Sequence, residues 1–341
     1  MRIGIVNDKM IEAEAMRRVL ALAPRHQLVW TANDGAEAVD MCMRDRPDLI
    51  LMDLVMPQMD GIEATRRIMA QSPCAILIVT ADIETNAARV FAAMGQGALD
   101  AVDTPLLGTD DPEVSGRAVL AKIDAIARLV GEKNSGRRLT ANRNVAPSSP
   151  LVAIGASAGG PAALAEILTN LPRNFPAAIV IVQHVDARFA PGLVNWLGQH
   201  SAMPVKLACE GDRAVPGTVL LAGTDDHLVF KSKAQLGYTS TPIDQIYRPS
   251  IDVFFNSVGR VCSGPLIGVL LTGMGSDGAQ GLKVLRGLGH YTIAQDQATS
   301  AVYGMPKAAA TIAAATDVLP LNRIASKLAE LLGSQPPLEK L

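Results

Sequence analysis

Val152-Ala-Ile-Gly-Ala-Ser157-Ala-Gly-Gly-Pro161 is the stretch whose reading decides the fold. The apolar run Leu151 to Ile154 reads as a buried strand, and it breaks into a turn of Gly155, Gly159 and Gly160 around one serine, Ser157. Pro161 then opens a helical pattern from Ala162 to Leu168, at a place where a missing N–H costs nothing. Gly155-Ala-Ser157-Ala-Gly159 fits G-x-S-x-G, a tight strand-to-helix turn that leaves the hydroxyl clear of the backbone at a helix N-terminus. The amides and dipole at that terminus favour an oxyanion. The same turn also suits a phosphate-cradling loop or plain close packing, because short glycine motifs are common. Two features oppose a dinucleotide site. The spacing is not G-x-G-x-x-G, and the next apolar run, Ala177 to Val182, ends in Gln183-His184 and not in a ribose-binding carboxylate.

Working outward, the chain of 341 residues is long for one core, so two domains are expected. Hydrophobic residues make up 49% and charged residues 19%, enough apolar material for two ordinary α/β cores. A net charge of -2 gives no electrostatic reason to expect nucleic acid or an anionic membrane as partner. Cys42, Cys74, Cys209 and Cys262 are scattered, with no C-x-x-C and no Cys/His cluster, which fits reduced thiols in a cytoplasmic protein. The first residues enter a strand-like run without a signal peptide, and no apolar stretch is long enough for membrane insertion.

Upstream of the serine turn, strand and helix patterns alternate. Apolar strands at Arg2 to Val6, Gln27 to Thr31, Leu49 to Met52, Ala75 to Val79 and Ala98 to Val102 are separated by helical stretches such as Ile11 to Leu22 and Glu84 to Met94. This predicts a five-stranded parallel doubly wound sheet whose ligands sit at the carboxyl ends of the strands. Asn7, Asp8, Asp53 and Thr80 all fall at such ends. Oxygen ligands there suit Mg²⁺, which would let a carboxylate accept a phosphoryl group. Capping of helices is the plainer use of strand-end aspartates. Leu51-Met-Asp53-Leu-Val-Met-Pro57-Gln-Met-Asp60-Gly61 resembles the phosphoacceptor segment of response-regulator receiver domains, and the resemblance covers residues 1–128. It implies Asp53 as phosphoacceptor, Asp8 as metal ligand, Thr80 as the switch hydroxyl, and a histidine kinase as phosphodonor. Two positions depart from that pattern. Asn7 stands where an acidic residue is usual, and Thr104-Pro105 replaces Lys-Pro. Weaker Mg²⁺ binding or altered switching is the expected consequence, and Lys9 is a nearby cation whose amine the sequence does not locate.

Residues 129–149 turn polar and basic, with Lys133, Arg137, Arg138 and Arg143 among Ser, Asn, Gly and Pro, the composition of a linker. Residues 150–335 return to the strand-helix alternation, as a three-layer α/β/α domain with a mostly parallel sheet. There Val219 to Leu221 and Leu228 to Phe230 read as a hairpin, and Leu266 to Leu271 as a central strand leading into Thr272-Gly-Met274-Gly-Ser-Asp277-Gly. Ser157, His184 and Asp277 would then share one sheet edge, in the chemical order that serine acyl transfer needs: hydroxyl, base, carboxylate. His227, beside Asp225 and Asp226, competes with His184 for the base, and a helix cap is the plain alternative for Asp277. The chain order Ser, His, Asp is not that of α/β-hydrolases.

Ile154-Gly-Ala-Ser157-Ala-Gly-Gly160, Val182-Gln-His184, Arg248-Pro-Ser-Ile-Asp252, Leu271-Thr-Gly-Met274-Gly-Ser-Asp277 and Tyr303-Gly-Met-Pro306 together resemble the chemotaxis protein-glutamate methylesterases of the CheB family. The Asn7-Asp8 and Asp103-Thr104-Pro105-Leu106 segments are more similar to its WspF branch. The resemblance implies a serine esterase acting on γ-glutamyl methyl esters in the cytoplasmic helices of methylated chemoreceptors, without a cofactor. It also implies slower deamidation of receptor glutamines. Ser157 would be nucleophile, His184 base and then acid, Asp277 its orienter, and Met274 N–H an oxyanion donor; the elbow geometry adds Ala158 N–H. Arg248 and Asp252 would shape the cleft. An esterase gated by its own receiver is the main expectation, and a catalytically weak module that docks to receptor or kinase is the other.

Overall fold

The computed structural model describes residues 1–83, 85–105, 112–131, 149–232, 235–262 and 264–333. The chain divides into two compact units, Met1–Glu132 and Lys133–Leu341. Most of the segment read as a linker, 132–148, lies outside the described residues.

In the first unit, strands β1 (Arg2–Val6), β2 (Gln27–Ala32), β3 (Leu49–Asp53), β4 (Ala75–Thr80) and β5 (Asp100–Asp103) alternate with helices α1 (Met10–Ala21), α2 (Gly35–Arg44), α3 (Gly61–Gln71), α4 (Ala87–Gly95) and α5 (Pro112–Gly131). Every pairing is parallel, in the order β2-β1-β3-β4-β5. β3 and β4 are buried along their whole length, which is why they read as unbroken aliphatic runs. β5 starts later than its apolar run because Ala98 N–H is drawn onto Ala93 O at the end of α4. Chain order reverses between β1 and β3, and loops leaving adjacent strands in opposite directions open a crevice there. Asn7-Asp8 and Asp53 stand on its two sides.

The second unit contains β6 (Leu151–Ala156), α6 (Gly160–Thr169), β7 (Ala178–Gln183), α7 (Ala190–His200), β8 (Val205–Leu207), β9 (Val219–Leu221), β10 (His227–Ser232) and β11 (Gln235–Thr239). It continues with α8 (Ile251–Val261), β12 (Leu266–Leu270), α9 (Ala279–Gly287), β13 (Tyr291–Gln295), α10 (Met305–Thr311), β14 (Asp317–Leu319) and α11 (Leu321–Leu331). Seven strands form one sheet in the order β14-β13-β12-β6-β7-β9-β8, with all pairings parallel. Helices α6, α7 and α11 pack together, as do α8, α9 and α10, so the sheet lies between two helical layers. The α/β class and both sheets are as the sequence predicts.

One pairing differs from expectation. Val219–Leu221 does not form a hairpin with the run after it: β9 lies parallel between β7 and β8, and β10 pairs antiparallel with β11. β9 is buried throughout, so it needs neighbours on both sides, and the polar turn between β9 and β10 is spent on other partners. Asp225 accepts Ala187 N–H at 3.2 Å, and Asp226 accepts from the Arg248 guanidinium at 2.8 Å.

The chain enters this sheet at its centre, on β6, moves out through β7, and returns to β12 on the other side of β6. The crevice of this unit therefore opens at the carboxyl ends of β6 and β12.

Candidate active site

Ser157 follows β6 directly, and its N–H donates to Thr272 O at 3.0 Å, beyond the end of β12. Gly159 takes φ +78°, a left-handed conformation that lets the chain turn from β6 into α6 within three residues. A Cβ on Gly273 would lie 2.7 Å from Ser157 Cβ, so the loop after β12 can pass the serine this closely only with glycine there. Ser157 is 5% exposed.

His184 stands at the equivalent point of the next strand. Ala156 pairs with Gln183, and the ladder continues as His184 N–H donates to Ala156 O at 3.0 Å. The buried Gln183 amide bridges the two turns, donating to Ser157 O at 2.9 Å and to His184 O at 3.1 Å. Serine and histidine are thus held as neighbours by backbone pairing. Their side chains make no hydrogen bond to each other among the described residues.

The imidazole is bonded to Asp277: Nε2–H donates to Oδ2 at 2.8 Å. That carboxylate is closely surrounded. Oδ2 also accepts Ile251 N–H at 2.7 Å, and Oδ1 accepts the Ser250 hydroxyl at 2.9 Å and Asp252 N–H at 3.0 Å. Ile251 and Asp252 open α8, so the charge sits at the positive end of a helix. Burial pushes the Asp277 pKa up, but the hydrogen bond from His184 and the two amides outweigh it and hold the carboxyl below its usual range, so it stays ionised. With Nε2 carrying its proton toward Asp277, the neutral ring has its lone pair on Nδ1. Nδ1 is buried and has no partner among the described residues. Chemically, this is a proton acceptor fixed in tautomer and direction, on the strand beside a hydroxyl.

Met274 N–H and Ala158 N–H, the two amides proposed from sequence for an oxyanion, make no hydrogen bond among the described residues, although the carbonyls beside them do. Ala158 O accepts the Thr272 hydroxyl at 2.8 Å, and Met274 O accepts the Tyr247 hydroxyl at 3.1 Å. His227 is a different kind of residue. Fully buried, it uses both ring nitrogens on backbone: Nδ1 accepts Ser250 N–H at 3.0 Å and Nε2 donates to Pro242 O at 3.0 Å. No lone pair is left for chemistry. Arg248 is tied to Asp226 and to Asp225 O, while Asp252 accepts Gly281 N–H at 2.6 Å, at the start of α9. Sequence reasoning missed Tyr247 and Ser250. Ser250 lies inside a motif whose spacing carries no sign of the hydroxyl's partner, and nothing near Tyr247 in sequence points to His184.

In the first unit, Asp53 is 3% exposed. Its Oδ1 accepts Val55 N–H at 3.3 Å, and Oδ2 is buried with no partner among the described residues. Burial chiefly, with the Glu12 charge adding, pushes its pKa up to about 6 against the pull of the Val55 amide. Thr80 and Thr104 are buried beside it in strand order; Thr80 Oγ accepts from Asn86, and Thr104 Oγ has no partner among the described residues. Lys9, which the sequence could not locate, pairs with Glu12 at 2.9 Å. Asn7 binds the same carboxylate, donating to it at 3.1 Å, so Glu12, unremarked in sequence, brings a charge near the pocket from the first turn of α1. Asp8 is exposed. Among the described residues no three His, Cys, Asp or Glu side chains gather as a metal cluster. The donors on offer are one orphaned carboxylate oxygen and the Asp8 carboxylate, hard ligands in the small number that a Mg²⁺ ion keeping most of its waters requires.

These features define a two-unit hydrolase of the response-regulator class. A response regulator receiver domain model matches residues 3–108, and a CheB methylesterase model matches residues 152–328. The protein-glutamate methylesterase/protein-glutamine glutaminase of Mesorhizobium japonicum is 56% identical over 333 residues, 97% of this chain and 98% of its own. The protein-glutamate methylesterase/protein-glutamine glutaminase of group 3 operon from Pseudomonas putida is 58% identical over 333 residues, 97% of this chain and 99% of its own. The crystal structure of the Thermotoga maritima CheB methylesterase catalytic domain superposes with a TM-score of 0.52 at 37% identity, covering 54% of this chain and 99% of that one. The chain belongs to the CheB methylesterase family. Among the described residues no helix is long and apolar enough to cross a membrane.

Proposed function

We propose that this chain is a cytoplasmic response regulator that hydrolyses γ-glutamyl methyl esters on the cytoplasmic helices of chemoreceptors. The observation that carries this reading is the imidazole at position 184, bound through Nε2–H to an ionised Asp277 and open at Nδ1 on the strand beside Ser157. Ser157 Oγ attacks the ester carbonyl while Nδ1 takes its proton. The new C–O bond places negative charge on the carbonyl oxygen, which Met274 N–H and Ala158 N–H receive. Collapse breaks the bond to methoxide, and Nδ1 returns the proton so that methanol leaves. Water, deprotonated at the same nitrogen, then attacks the acyl-serine and frees the glutamate carboxylate and the serine. The imidazole acts here through Nδ1, because Nε2 is taken by the carboxylate. The relatives' names pair methylesterase with protein-glutamine glutaminase, which supports the same acyl transfer on glutamine side chains, slowed by the poorer leaving group.

Asp53 accepts the phosphoryl group from a histidine kinase, and its orphaned Oδ2 is the attacking atom. Asp8 and Asp53, with the Asn7 carbonyl, would hold Mg²⁺, which when bound neutralises charge gathering on the phosphoryl oxygens. Thr80 offers its hydroxyl to the same group. Asn7 and Thr104 each remove a charge that receivers usually place here, which supports the WspF branch as the nearer affiliation. Measuring methanol release from methylated receptor, wild type against Ser157→Ala, tests the main reading. A wild-type rate no faster than the variant's would leave only a docking role. Transfer from a small phosphodonor in Mg²⁺ should label wild type and not Asp53→Asn.

A further inference from the structure

We propose that Tyr247 is a positioning residue that braces the base and the oxyanion loop with one side chain, an inference that rests on the acyl-transfer reading above. Its ring lies face to face with the His184 imidazole, with centroids 4.0 Å apart and planes 11° from parallel. Its hydroxyl donates to Met274 O at 3.1 Å.

The stack fixes the plane of the imidazole. Nε2–H can point along the Asp277 carboxylate, and Nδ1 toward the serine turn, only while the ring keeps this plane, since rotation about the Cβ–Cγ bond swings both nitrogens together. A flat partner at 4.0 Å opposes that rotation. The contact also changes during turnover. Once Nδ1 takes the serine proton the ring is a cation over a phenol face, an attraction that is stronger in the transition state than in the ground state.

The hydroxyl acts on the neighbouring loop. Gly273 O accepts Gly304 N–H at 3.1 Å and Met305 N–H at 2.8 Å. A trans peptide points its N–H opposite to its C=O, so these two bonds set the direction of Met274 N–H. The following peptide is set by Tyr247, through Met274 O. Without that bond it belongs to a run, Gly273-Met274-Gly275, whose glycines resist rotation little. The approach is close: Gly275 has φ +77°, and a Cβ there would lie 2.5 Å from the Tyr247 oxygen.

The tyrosine is itself anchored. Pro242 O and Ser250 N–H, on either side of it in sequence, are both held by the buried His227, and Arg248 is tied to Asp226. This gives His227 a purpose in the fold, as the clamp on the segment that delivers the ring.

The test compares full-length wild type, Tyr247→Phe and Tyr247→Leu, using methanol release from methylated receptor, thermal unfolding, and the low-field proton resonance of the His184 Nε2–H···Asp277 bond. Phe keeps the stack and loses the hydroxyl, so kcat should fall about fivefold with KM within about twofold. Leu loses both, so kcat should fall about 30-fold with KM again steady, and the low-field resonance should broaden in Leu alone. Rescue of most of the Leu loss by Phe identifies the stack as the larger part. Wild-type kcat in the folded Leu variant, a loss carried by KM alone, or equal losses in Phe and Leu would overturn the proposal. Should Leu not fold, Phe decides, since an unchanged kcat there removes the bracing of the loop. The Ser157→Ala control separates the two levels. If wild type releases methanol no faster than it, the esterase reading fails, and the resonance still reports whether the ring holds the imidazole.

Discussion

Asp252 and Asp277 cap each other's helices, and this exchange has a measurable effect on stability. Asp277 takes the first amides of α8, where Asp252 sits, and Asp252 takes Gly281 N–H in the first turn of α9, just after Asp277. A buried carboxylate and a half-buried one this close do not both ionise readily. Asp277 keeps its charge through His184 and the α8 amides, so the proton goes to Asp252. Burial first, then the Asp277 charge, push the Asp252 pKa up to about 7, against an ordinary value of 3.8. Between those two pH values the folded chain binds a proton here that the unfolded chain does not. Folding is therefore favoured at the acid end, and this contribution is lost as pH rises through 7. From pH 5 to pH 8 the loss is about 3 kcal/mol, at about 1.4 kcal/mol per unit over roughly two titrating units. Asp252→Asn keeps an oxygen for the α9 amides and cannot ionise. Its stability relative to wild type should climb by about 3 kcal/mol across that range and level off above pH 8. The chain has two tryptophans, Trp30 in the first unit and Trp196 in the second. Urea unfolding followed by Trp196 fluorescence in a Trp30→Phe background reads the relevant unit. A difference between the two proteins that stays flat from pH 5 to pH 8, or shrinks, would refute the assignment of the proton to Asp252.

Gly273→Ala should lower kcat about tenfold or more, because the added methyl meets Ser157 Cβ at 2.7 Å and that carbon cannot swing away without moving the elbow; methanol release and a Tm on the same sample check it. His184→Ala should lose about 10³-fold or more in kcat with little change in Tm, whereas His227→Ala should lose about 2 kcal/mol of stability, leaving two backbone groups unpaired, and keep kcat within about fivefold while folded. Asn7→Asp returns a carboxylate to the β1 end of the receiver crevice, so the Mg²⁺ concentration for half-maximal labelling of Asp53 should fall several-fold, about tenfold at most. An unchanged Mg²⁺ requirement would show that position 7 does not set metal affinity.

Much of this molecule is legible in one dimension. Alternating apolar runs and helical patterns give two parallel sheets, because strands buried on both faces must be continuously aliphatic. Strand ends give Asp53, Ser157, His184 and Asp277 as candidates, because loops at the carboxyl edge of such sheets are where polar side chains are exposed to a crevice. The glycines around Ser157 disclose a turn that no bulkier residue could make.

Other features depended on contacts between residues far apart in the chain. His184 and His227 both border apolar runs beside polar residues, one at the end of a run and one at the start, and only their ring partners tell them apart: a carboxylate and an open nitrogen for one, two backbone groups for the other. β9 found parallel neighbours instead of the antiparallel partner next to it in sequence, since local pattern encodes burial and period but not which strand satisfies a given edge. Tyr247 and Ser250 gain their meaning from His184 and Asp277, which lie 63 and 27 residues away in the chain. Hydrogen bonds and ring stacking act over a few ångströms of space, so the sequence alone named the reactive groups, and the bonds that Asp277 makes to the start of α8 and to His184 decided which nitrogen of the imidazole is taken and which is left open.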